Sequence, residues 1–413
     1  MMGVKVLLKK NKALKKAAKA LYLAGCHVLY AAMKHTLRTD ARLVVFDAFQ
    51  GRGCACSPLT LYKAMLADAR YGEYRFAWVL RKPENAPEAL INARTELVKF
   101  DSPRAMARYA KAGYWITNAR LRGYCVPKKK QQYIQCWHGT PYKKIGCDVT
   151  AGANATASVA KNRREYEAEG RRITRLLSPS PFCSEKFASA FGLSFPGGRE
   201  KLLEAGYPRN DALFKADAAR IAAIKNTLGI PPGHQVILYA PTFRDNSFNA
   251  ADGYTFAPPL DFHRLRKALP ENCMVLFRAH YFVADRFDFS AYSDFLKNVS
   301  AYGDINDLYL ASDLLVTDYS SVFFDFANLG KPMVFFLFDY EEYRDRMRDF
   351  YLPAEELPGI LTRTQDELET AVCALLSRGM TAEQAEKLAA FHRRFNPRDG
   401  ADAAGAVLKR IFG

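Results

Sequence analysis

The sequence predicts an α/β protein built from two halves of similar size. Two series of short apolar runs, typical of strands buried in parallel sheets, alternate with stretches of helical periodicity. Gly206 and Pro208 interrupt the pattern between the two series, within "EAGYPRND" at residues 204–211. A chain of 413 residues also has the length of about two domains.

Each half contains several strand candidates. In the first half they are residues 41–49, 76–80, 96–100, 114–118 and 132–137, and in the second half they are residues 236–242, 273–280, 314–319 and 333–338. Open α/β sheets bind ligands at the carboxyl ends of their strands, so the residues that follow these runs are the candidates for function. Neither half has the glycine-rich fingerprint of dinucleotide-binding proteins or the phosphate loop of P-loop NTPases.

The N-terminal segment is strongly basic, whereas the whole composition, 49% hydrophobic and 25% charged with a net charge of +17, excludes a disordered protein. Residues 1–39 hold eight lysines, Arg38 and no acidic residue, with apolar residues recurring near helical spacing. The apolar run at 20–33 is too short to span a bilayer, and the basic stretch is too long for a signal peptide. We therefore expect a helix that lies on an anionic membrane surface. Packing of this helix on the protein itself stays open as the alternative.

The nine cysteines are scattered, and the single close pair, Cys54 and Cys56, has no matching pair or histidine cluster beside it. This spacing indicates neither a zinc site nor a redox C-x-x-C pair. Reduced thiols in the cytosol are the simplest interpretation.

Two serines follow the strand candidate at residues 314–319. Ser320 and Ser321 precede a stretch of helical spacing that Gly330 ends, so they lie at the start of a helix. Unpaired backbone N–H groups there favour an anion, and two hydroxyls add donors. Serine is also a preferred N-cap without any ligand, and taken alone the pair favours capping.

A histidine, His138, follows the strand candidate at residues 132–137. Residues 120–147 hold seven Lys or Arg side chains and no acidic one, which would suit an anionic substrate. An imidazole also suits proton transfer near neutral pH, although a lone histidine is more often structural. The segment that follows His138 contains Gly139, Thr140, Lys143 and Lys144.

Arginine, histidine and hydroxyl side chains follow the strands of the second half. Arg278 and His280 stand two apart at the end of the run 273–280, so we expect both on one face of the strand. Thr242 and Arg244 stand two apart after another strand, and arginine suits bidentate contacts with phosphate. With His138 and the serine pair, they predict a diphosphate site with an acid/base group in a cleft between the halves, which favours phosphate binding over capping alone.

Five ordered motifs resemble those of the CDP-glycerol glycerophosphotransferases of teichoic acid synthesis. They are "CWHGTPYKKIG" (136–146), "EAGYPRND", "YAPTFRDN" (239–246), "FRAH" (277–280) and "DLLVTDYSSVFFDFANLGKPMVFF" (313–336). The resemblance covers residues 41–405, including "FNPRDGADAA" at 395–404. It implies a GT-B-like fold, with two Rossmann-like domains facing a central cleft. It also implies transfer of glycerol phosphate from CDP-glycerol to a hydroxyl, with release of CMP.

The resemblance also implies roles for individual residues. The catalytic histidines would be His138 and His280, and the phosphate-binding pair would be Ser320 and Ser321. We expect the donor side to include Thr242, Arg244, Arg278, Asp318, Ser320 and Ser321, and the acceptor side to include Gly139, Thr140, Lys143 and Lys144. Cys56 and Asp402 depart from the family's usual residues, which affects the acceptor side more than the donor side. The sequence also lacks the long N-terminal extension of some polymerising members, which favours a single addition or a short chain.

The predicted domains follow from these roles. They are a basic membrane-associating helix (1–39), an acceptor-side domain (40–205), a CDP-donor-binding domain (206–395), and a C-terminal helix (396–413) that returns to the first domain. We expect no cofactor and no metal ion, because Asp318 is a single carboxylate and divalent-metal sites usually need more.

The expected donor is CDP-glycerol, and the expected acceptor is a lipid-linked saccharide or a poly(polyol phosphate) chain at the cytoplasmic face of the membrane. A nucleic-acid partner is not expected, since no nucleic-acid-binding motif is present. Three alternatives stay open: a CDP-ribitol phosphotransferase, a GT-B glycosyltransferase that uses a nucleotide sugar, and a basic binding module without enzymatic activity.

Overall fold

The structure is a computed structural model, and it describes residues 12–150, 159–242, 248–249, 253–254, 259–279, 289–347 and 349–413. Two of the predicted site residues, Arg244 and His280, lie outside the described residues. Residues 1–11 of the predicted basic helix also lie outside them.

The chain divides into two compact units that interleave in sequence. The first comprises Met1–Cys54, Tyr62–Trp137 and Arg172–Leu176, and the second comprises Ala55–Leu61, His138–Arg171 and Leu177–Gly413. This division differs from the predicted boundary near residue 205, because it assigns the segment after His138 to the second unit. The physical reason is backbone pairing: the N–H of Lys144 donates to the carbonyl of Asp349 (2.9 Å), and the N–H of Tyr351 donates to the carbonyl of Tyr142 (2.8 Å).

The described residues contain fourteen α-helices. They are Lys12–Thr36, Cys56–Ala67, Pro103–Lys111, Val159–Arg172, Pro181–Ala190, Asp211–Lys215, Ala218–Thr227, Phe262–Ala268, Ile305–Ala311, Val322–Phe326, Tyr340–Glu342, Gln365–Arg378, Ala382–Phe395 and Ala403–Phe412. Short 3-10 turns join several of them, and one of these turns, Ala327–Leu329, extends the helix that follows the serine pair.

A seven-stranded sheet has the strand order β3-β2-β1-β4-β5-β6-β7. Its strands are β1 (Asp40–Asp47), β2 (Arg75–Leu80), β3 (Thr95–Lys99), β4 (Ala112–Thr117), β5 (Gln132–Gln135), β6 (Arg175–Ser178) and β7 (Leu202–Glu204). Strand β1 pairs in parallel with both β2 and β4. Successive strands are therefore added on one side from β1 to β3 and on the other side from β4 onward, so the switch point lies between β1 and β4. This is the strand order of doubly wound nucleotide-binding folds.

A six-stranded sheet has the strand order β12-β11-β8-β13-β14-β15. Its strands are β8 (Gln235–Ala240), β11 (Cys273–Phe277), β12 (Leu296–Asn298), β13 (Leu314–Thr317), β14 (Met333–Phe336) and β15 (Ile360–Thr362); β9 (Phe248–Asn249) and β10 (Gly253–Tyr254) form a separate pair. All five pairings in this sheet are parallel. Numbered within the second half, the order is again the doubly wound one, with the switch point between β8 and β13. The α/β class with parallel sheets is therefore confirmed.

The core of the second unit holds the helix Val322–Phe326 against its sheet. Phe323 is fully buried and packs edge-on against Phe335 of β14, with ring centroids 5.2 Å apart. Phe324 packs on Phe391 and Phe395 of the helix Ala382–Phe395. The apolar residues of "SVFFDFANL" thus make the contacts with the sheet and with the neighbouring helix. These contacts fix the position of the serines that precede the helix.

The helix Lys12–Thr36 packs on the first unit along one face only. Tyr30 is buried, and its hydroxyl donates to the carbonyl of Val126 (3.4 Å). On the opposite face, Leu21 and Val28 are 77% and 72% exposed. The contact through Tyr30 agrees with the alternative that the helix packs on the protein, whereas the exposed apolar residues leave an uncovered face.

The C-terminal helix Ala403–Phe412 lies in the second unit. The backbone N–H groups of Ala403 and Ala404 each donate to the Asp211 carboxylate at 3.0 Å, which caps the start of this helix. Its return to the predicted first domain (40–205) stays a prediction. Burial raises the pKa of Asp211 to about 6.

Candidate functional site

The switch point of the second sheet is built around the buried carboxylate of Asp318. Its Oδ1 atom accepts from the backbone N–H of Thr242 (2.7 Å), which follows β8, and from that of Tyr319 (2.5 Å), which follows β13. One carboxylate therefore joins the loops after the two strands at which the sheet order reverses. This is the position at which doubly wound sheets bind ligands.

The two serines follow directly at the start of the helix Val322–Phe326. Ser321 occupies the N-cap position, with φ −72°, but its side chain makes no capping hydrogen bond. Both serines are partly exposed. Gly330 ends the 3-10 extension of the helix with φ +61°, as the sequence predicts. The interpretation that these serines cap the helix with their side chains therefore lacks support at Ser321.

Arg278 lies just after β11, because this strand ends at Phe277 rather than continuing through the predicted residue 280. Its Nη1 atom donates to the carbonyls of Tyr302 (2.8 Å) and Val299 (3.3 Å). Burial lowers the pKa of the guanidinium. The structure thus places Arg278 at the carboxyl end of the sheet, tied to the loop after β12, while its predicted neighbour His280 lies outside the described residues.

The backbone around His138 is unusual on both sides. Trp137 has φ +51° and Gly139 has φ +144°, which are values that side-chain-bearing residues rarely adopt. The side chain of His138 is exposed, whereas Gly139 is buried. A Cβ atom added at Gly139 would lie 3.2 Å from Nη2 of Arg209 and 3.4 Å from Oγ of Ser321. The residue after His138 therefore lies close to the second serine, as the predicted site requires.

A buried ion pair supports this arrangement. Nη2 of Arg209 donates to Oδ2 of Asp325, while Nη1 donates to the carbonyl oxygen of His138 (2.7 Å). The carboxylate lies in the helix Val322–Phe326, which begins directly after Ser321. The amide of Asn210 donates to Asp325 (3.0 Å) and to Asp399 (2.7 Å). Burial raises the pKa of Asp399 to about 6.

The segment after His138 is held against residues 349–351 by backbone and side-chain contacts. Nζ of Lys144 forms an ion pair with Asp349, and the Lys143 backbone forms an antiparallel bridge with Phe350. Nζ of Lys143 lies 5.7 Å from the ring centre of Tyr343. Both lysines therefore have partners in the protein, and their predicted contact with an acceptor stays a prediction.

Thr140, another predicted acceptor-side residue, is buried, with a relative exposure of 1%. Burial raises the pKa of the Cys183 thiol to about 12, and the Thr140 side chain partly opposes this rise. Thr140 is therefore a packed side chain, and its predicted acceptor-side role stays a prediction.

The first sheet has a matching feature at its own switch point. The Oδ1 atom of Asn118, after β4, accepts from the backbone N–H of Phe49 (2.7 Å), after β1. Asp47 accepts from the N–H of Gly51 (2.7 Å) and from the hydroxyl of Tyr109 (2.9 Å). Burial raises the pKa of Asp47 to about 6. Polar side chains thus organise the loops at the switch points of both sheets.

In the part of the chain that the structure describes, no cluster of three or more His, Cys, Asp or Glu side chains has a geometry that could hold a metal ion. Among the same residues, no helix is both long and apolar enough to cross a bilayer.

Sequence reasoning did not identify Arg209 or Asp325 as site residues. Arg209 lies in "EAGYPRND", which predicts the join between the halves and is one of the five motifs of the resemblance, but neither observation gives Arg209 a role. Its signal was the Arg-Asn-Asp run after a Gly and a Pro, since three charged or amide side chains together at a turn often organise loops. Asp325 lies in the motif at residues 313–336, and its further signal is its position on an otherwise apolar helix.

Comparisons with known proteins agree with this description. A family model described as "CDP-Glycerol:Poly(glycerophosphate) glycerophosphotransferase" matches residues 29–413. The teichoic acid poly(glycerol phosphate) polymerase of Bacillus subtilis (strain 168) is 36% identical over 370 residues, which are 89% of this chain and 47% of that protein. The teichoic acid glycerol-phosphate transferase of Staphylococcus aureus (strain NCTC 8325) is 34% identical over 391 residues, which are 94% of this chain and 97% of that protein.

A solved structure of the wall teichoic acid polymerase TagF has a TM-score of 0.84 to this chain at 32% identity, and the match covers 96% of each chain. A TagF variant has also been solved after a soak with CDPG. The chain spans about half the length of the Bacillus subtilis polymerase, at 47%, and nearly all of the Staphylococcus aureus transferase, at 97%. Because the family model covers most of the chain and several relatives exceed 30% identity, the chain belongs to the CDP-glycerol:poly(glycerophosphate) glycerophosphotransferase family of transferases.

Proposed function

We propose that this protein transfers glycerol phosphate from CDP-glycerol to a hydroxyl of a teichoic-acid-like or capsular polymer acceptor, releasing CMP. The observation that carries the proposal is the closeness of Gly139, the neighbour of His138, to Oγ of Ser321. It supports one site that combines an imidazole with the hydroxyls of Ser320 and Ser321. The CDPG soak of TagF supports CDP-glycerol as the donor.

In the proposed mechanism, His138 is the general base. Its imidazole takes the proton of the acceptor hydroxyl, whose oxygen forms a new bond to the β-phosphorus of CDP-glycerol. The bond from this phosphorus to the bridging oxygen breaks, and CMP leaves with the electron pair. An imidazole suits this role near neutral pH. The exposed side chain of His138 is compatible with access to an acceptor.

The donor side would stabilise the diphosphate and the leaving CMP. Ser320 and Ser321 supply hydroxyls at the switch point of the second sheet, and Arg278 supplies positive charge at the carboxyl end of β11. Thr242, Arg244, Asp318 and His280 complete the predicted set, with Asp318 holding the loop of Thr242 in place. Donors that are oriented before the reaction often give the largest catalytic contribution, about 3 kcal/mol for a well-placed group.

The acceptor is proposed to be lipid-linked, and the enzyme is proposed to act as a peripheral protein at the cytoplasmic face of the membrane. The helix Lys12–Thr36 supports this, since Leu21 and Val28 are exposed among lysines of the same helix. Apolar side chains flanked by cations favour the surface of an anionic bilayer. The two doubly wound sheets also support a GT-B-like fold.

The reaction is proposed to need no metal ion. Cationic side chains of the protein would offset the negative charge of the diphosphate, and neutral donors would stabilise it by hydrogen bonds. The testing experiment supplies CDP-glycerol, CDP-ribitol and a nucleotide sugar separately, with a panel of lipid-linked acceptors. CMP release and products are followed by mass spectrometry, with and without EDTA.

We expect CMP release from CDP-glycerol that depends on the acceptor and persists in EDTA. Preference for CDP-ribitol would reassign the donor, and release of a nucleoside diphosphate from the nucleotide sugar would reassign the reaction. Full loss of activity in EDTA that Mg²⁺ restores would contradict metal independence.

A further inference from the structure

We propose that Arg209 is a positioning residue that holds the loop of His138 in its reactive conformation, and that Asp325 holds Arg209 in turn. This inference rests on the proposed function, because it assumes that His138 takes part in the chemistry. It adds a residue pair that connects the proposed base with the helix behind Ser321.

The contacts of Arg209 are directional. Its guanidinium spans two groups, donating from Nη1 to the carbonyl oxygen of His138 (2.7 Å) and from Nη2 to Asp325. A planar guanidinium presents its N–H groups in a rigid fork, so it fixes the angle between two acceptors, which a flexible ammonium does not. The distance from His138 to the helix Val322–Phe326 is therefore set by one rigid group.

The Arg209–Asp325 ion pair is buried, where charged groups lose their hydration. Arg209 is 8% exposed and Asp325 is 5% exposed. Removing two charges from water is costly, and well-packed apolar residues often give equal or greater stability. Stability alone therefore does not account for this pair, whereas a requirement for a fixed geometry does.

The backbone at His138 needs such a restraint. The φ value of Trp137, +51°, is one that a residue with a side chain rarely adopts, and it persists only where the surroundings hold it. Gly139, at φ +144°, has a conformation that is open to glycine. The hydrogen bond from Arg209 acts on the carbonyl between these two residues, at His138 itself. Nη2 of Arg209 also lies 3.2 Å from the position that a Cβ atom at Gly139 would take.

Arg209 is itself held on its backbone. The amide of Asn306 donates to its carbonyl, and its own N–H donates to Oγ of Ser57 (3.4 Å). Asp325 receives a second hydrogen bond from Asn210 (3.0 Å). Both members of the pair are therefore oriented by neighbours, which is what a positioning role requires.

The test compares Arg209→Gln, Arg209→Lys and His138→Ala with the double variant His138→Ala/Arg209→Gln. The control is Lys331→Gln, which removes a half-buried cation that donates to the carbonyls of Tyr309, Leu310 and Ser312 in the same unit. Single-turnover rates, the Kd for CDP-glycerol and the Tm are measured for each. Arg209→Lys keeps the charge opposite Asp325, so it provides a folded variant if Arg209→Gln unfolds.

We expect both Arg209 variants to lower the turnover rate on the order of 100-fold, as a displaced catalytic group does, while the Kd for CDP-glycerol changes less than about threefold. In the His138→Ala background, Arg209→Gln should reduce the residual rate less than about twofold, because a residue that acts through His138 has nothing left to position. Lys331→Gln should keep its turnover rate.

Two results would overturn the inference: an Arg209→Lys protein that is folded and turns over within twofold of wild type, or an equal proportional loss with and without His138. These results differ from failure of the proposed function. If His138→Ala itself keeps its turnover, the assignment of the base is wrong. If His138→Ala is inactive while the Arg209 variants are active, only the positioning role is wrong.

Discussion

Oδ1 of Asp318 lies 2.7 Å from the backbone nitrogen of Thr242, and this hydrogen bond joins the ends of β13 and β8. The same oxygen accepts from the N–H of Tyr319. Asp318→Ala would leave the buried N–H of Tyr319 and the partly buried N–H of Thr242 without this acceptor, and we expect it to lower the free energy of unfolding by about 2 to 4 kcal/mol. Asp318→Asn keeps an acceptor oxygen and should lower it by less than about 1 kcal/mol. Urea unfolding of the two variants measures the difference, and equal losses would contradict this role.

The serine pair should matter for binding and not for stability. Ser321 makes no capping hydrogen bond with its side chain. Replacing both Ser320 and Ser321 with Ala should therefore change the free energy of unfolding by less than about 0.5 kcal/mol. The same change should weaken CDP-glycerol binding by roughly 1 to 3 kcal/mol, since hydrogen bonds to charged groups contribute about that amount. Calorimetry with CDP-glycerol measures the affinity; unchanged affinity together with a lower stability would return the serines to a capping role.

The sequence predicted the strands of both sheets that are long and apolar, because burial on two faces leaves a continuous apolar run. It missed β6, β7, β12 and β15, which have only three or four residues each and therefore give little periodic signal. It placed His138 and Ser321 in one site through motifs that follow strands. The pairing of Arg209 with Asp325 was not predictable, because 116 residues separate the two and only the tertiary fold brings them together.

The stability of the first unit should depend on the protonation of Asp47. Burial raises its pKa to about 6, from a usual value near 4, so between about pH 4 and 6 the folded state holds a proton that the unfolded state releases. The free energy of unfolding should therefore fall as the pH rises through this range, with a contribution from Asp47 of at most about 3 kcal/mol.

Asp47→Asn is the matching variant, because an amide can accept from Gly51 and donate to Tyr109 without titrating. We expect its stability to fall less steeply than that of wild type between pH 4 and 6 in urea titrations. Asp211 and Asp399 also have raised pKa values. The stability of the variant should therefore still fall with rising pH, but less steeply than that of wild type. Identical slopes for wild type and variant would contradict the protonated state of Asp47.

The exposed apolar face of the helix Lys12–Thr36 should carry membrane binding. Replacing Leu21 and Val28 with Glu removes apolar side chains from that face and adds repulsion from anionic lipids, so sedimentation with vesicles containing anionic lipid should fall. The control is Ile91→Glu, which changes a side chain that is 70% exposed outside this helix. High salt should release the wild-type protein, because screening weakens the attraction of the lysines. If Ile91→Glu reduces sedimentation as much, the loss reflects the added negative charge and not contact of this helix face with the membrane.

The central claim is that His138 acts on the acceptor and contributes little to donor affinity. The most direct measurement compares wild type and His138→Ala for single-turnover CMP release and for CDP-glycerol binding by calorimetry. We predict that turnover falls at least about 100-fold, as loss of a general base does, while the Kd stays within about threefold. Turnover of His138→Ala within tenfold of wild type, with the same affinity for CDP-glycerol, would contradict the account.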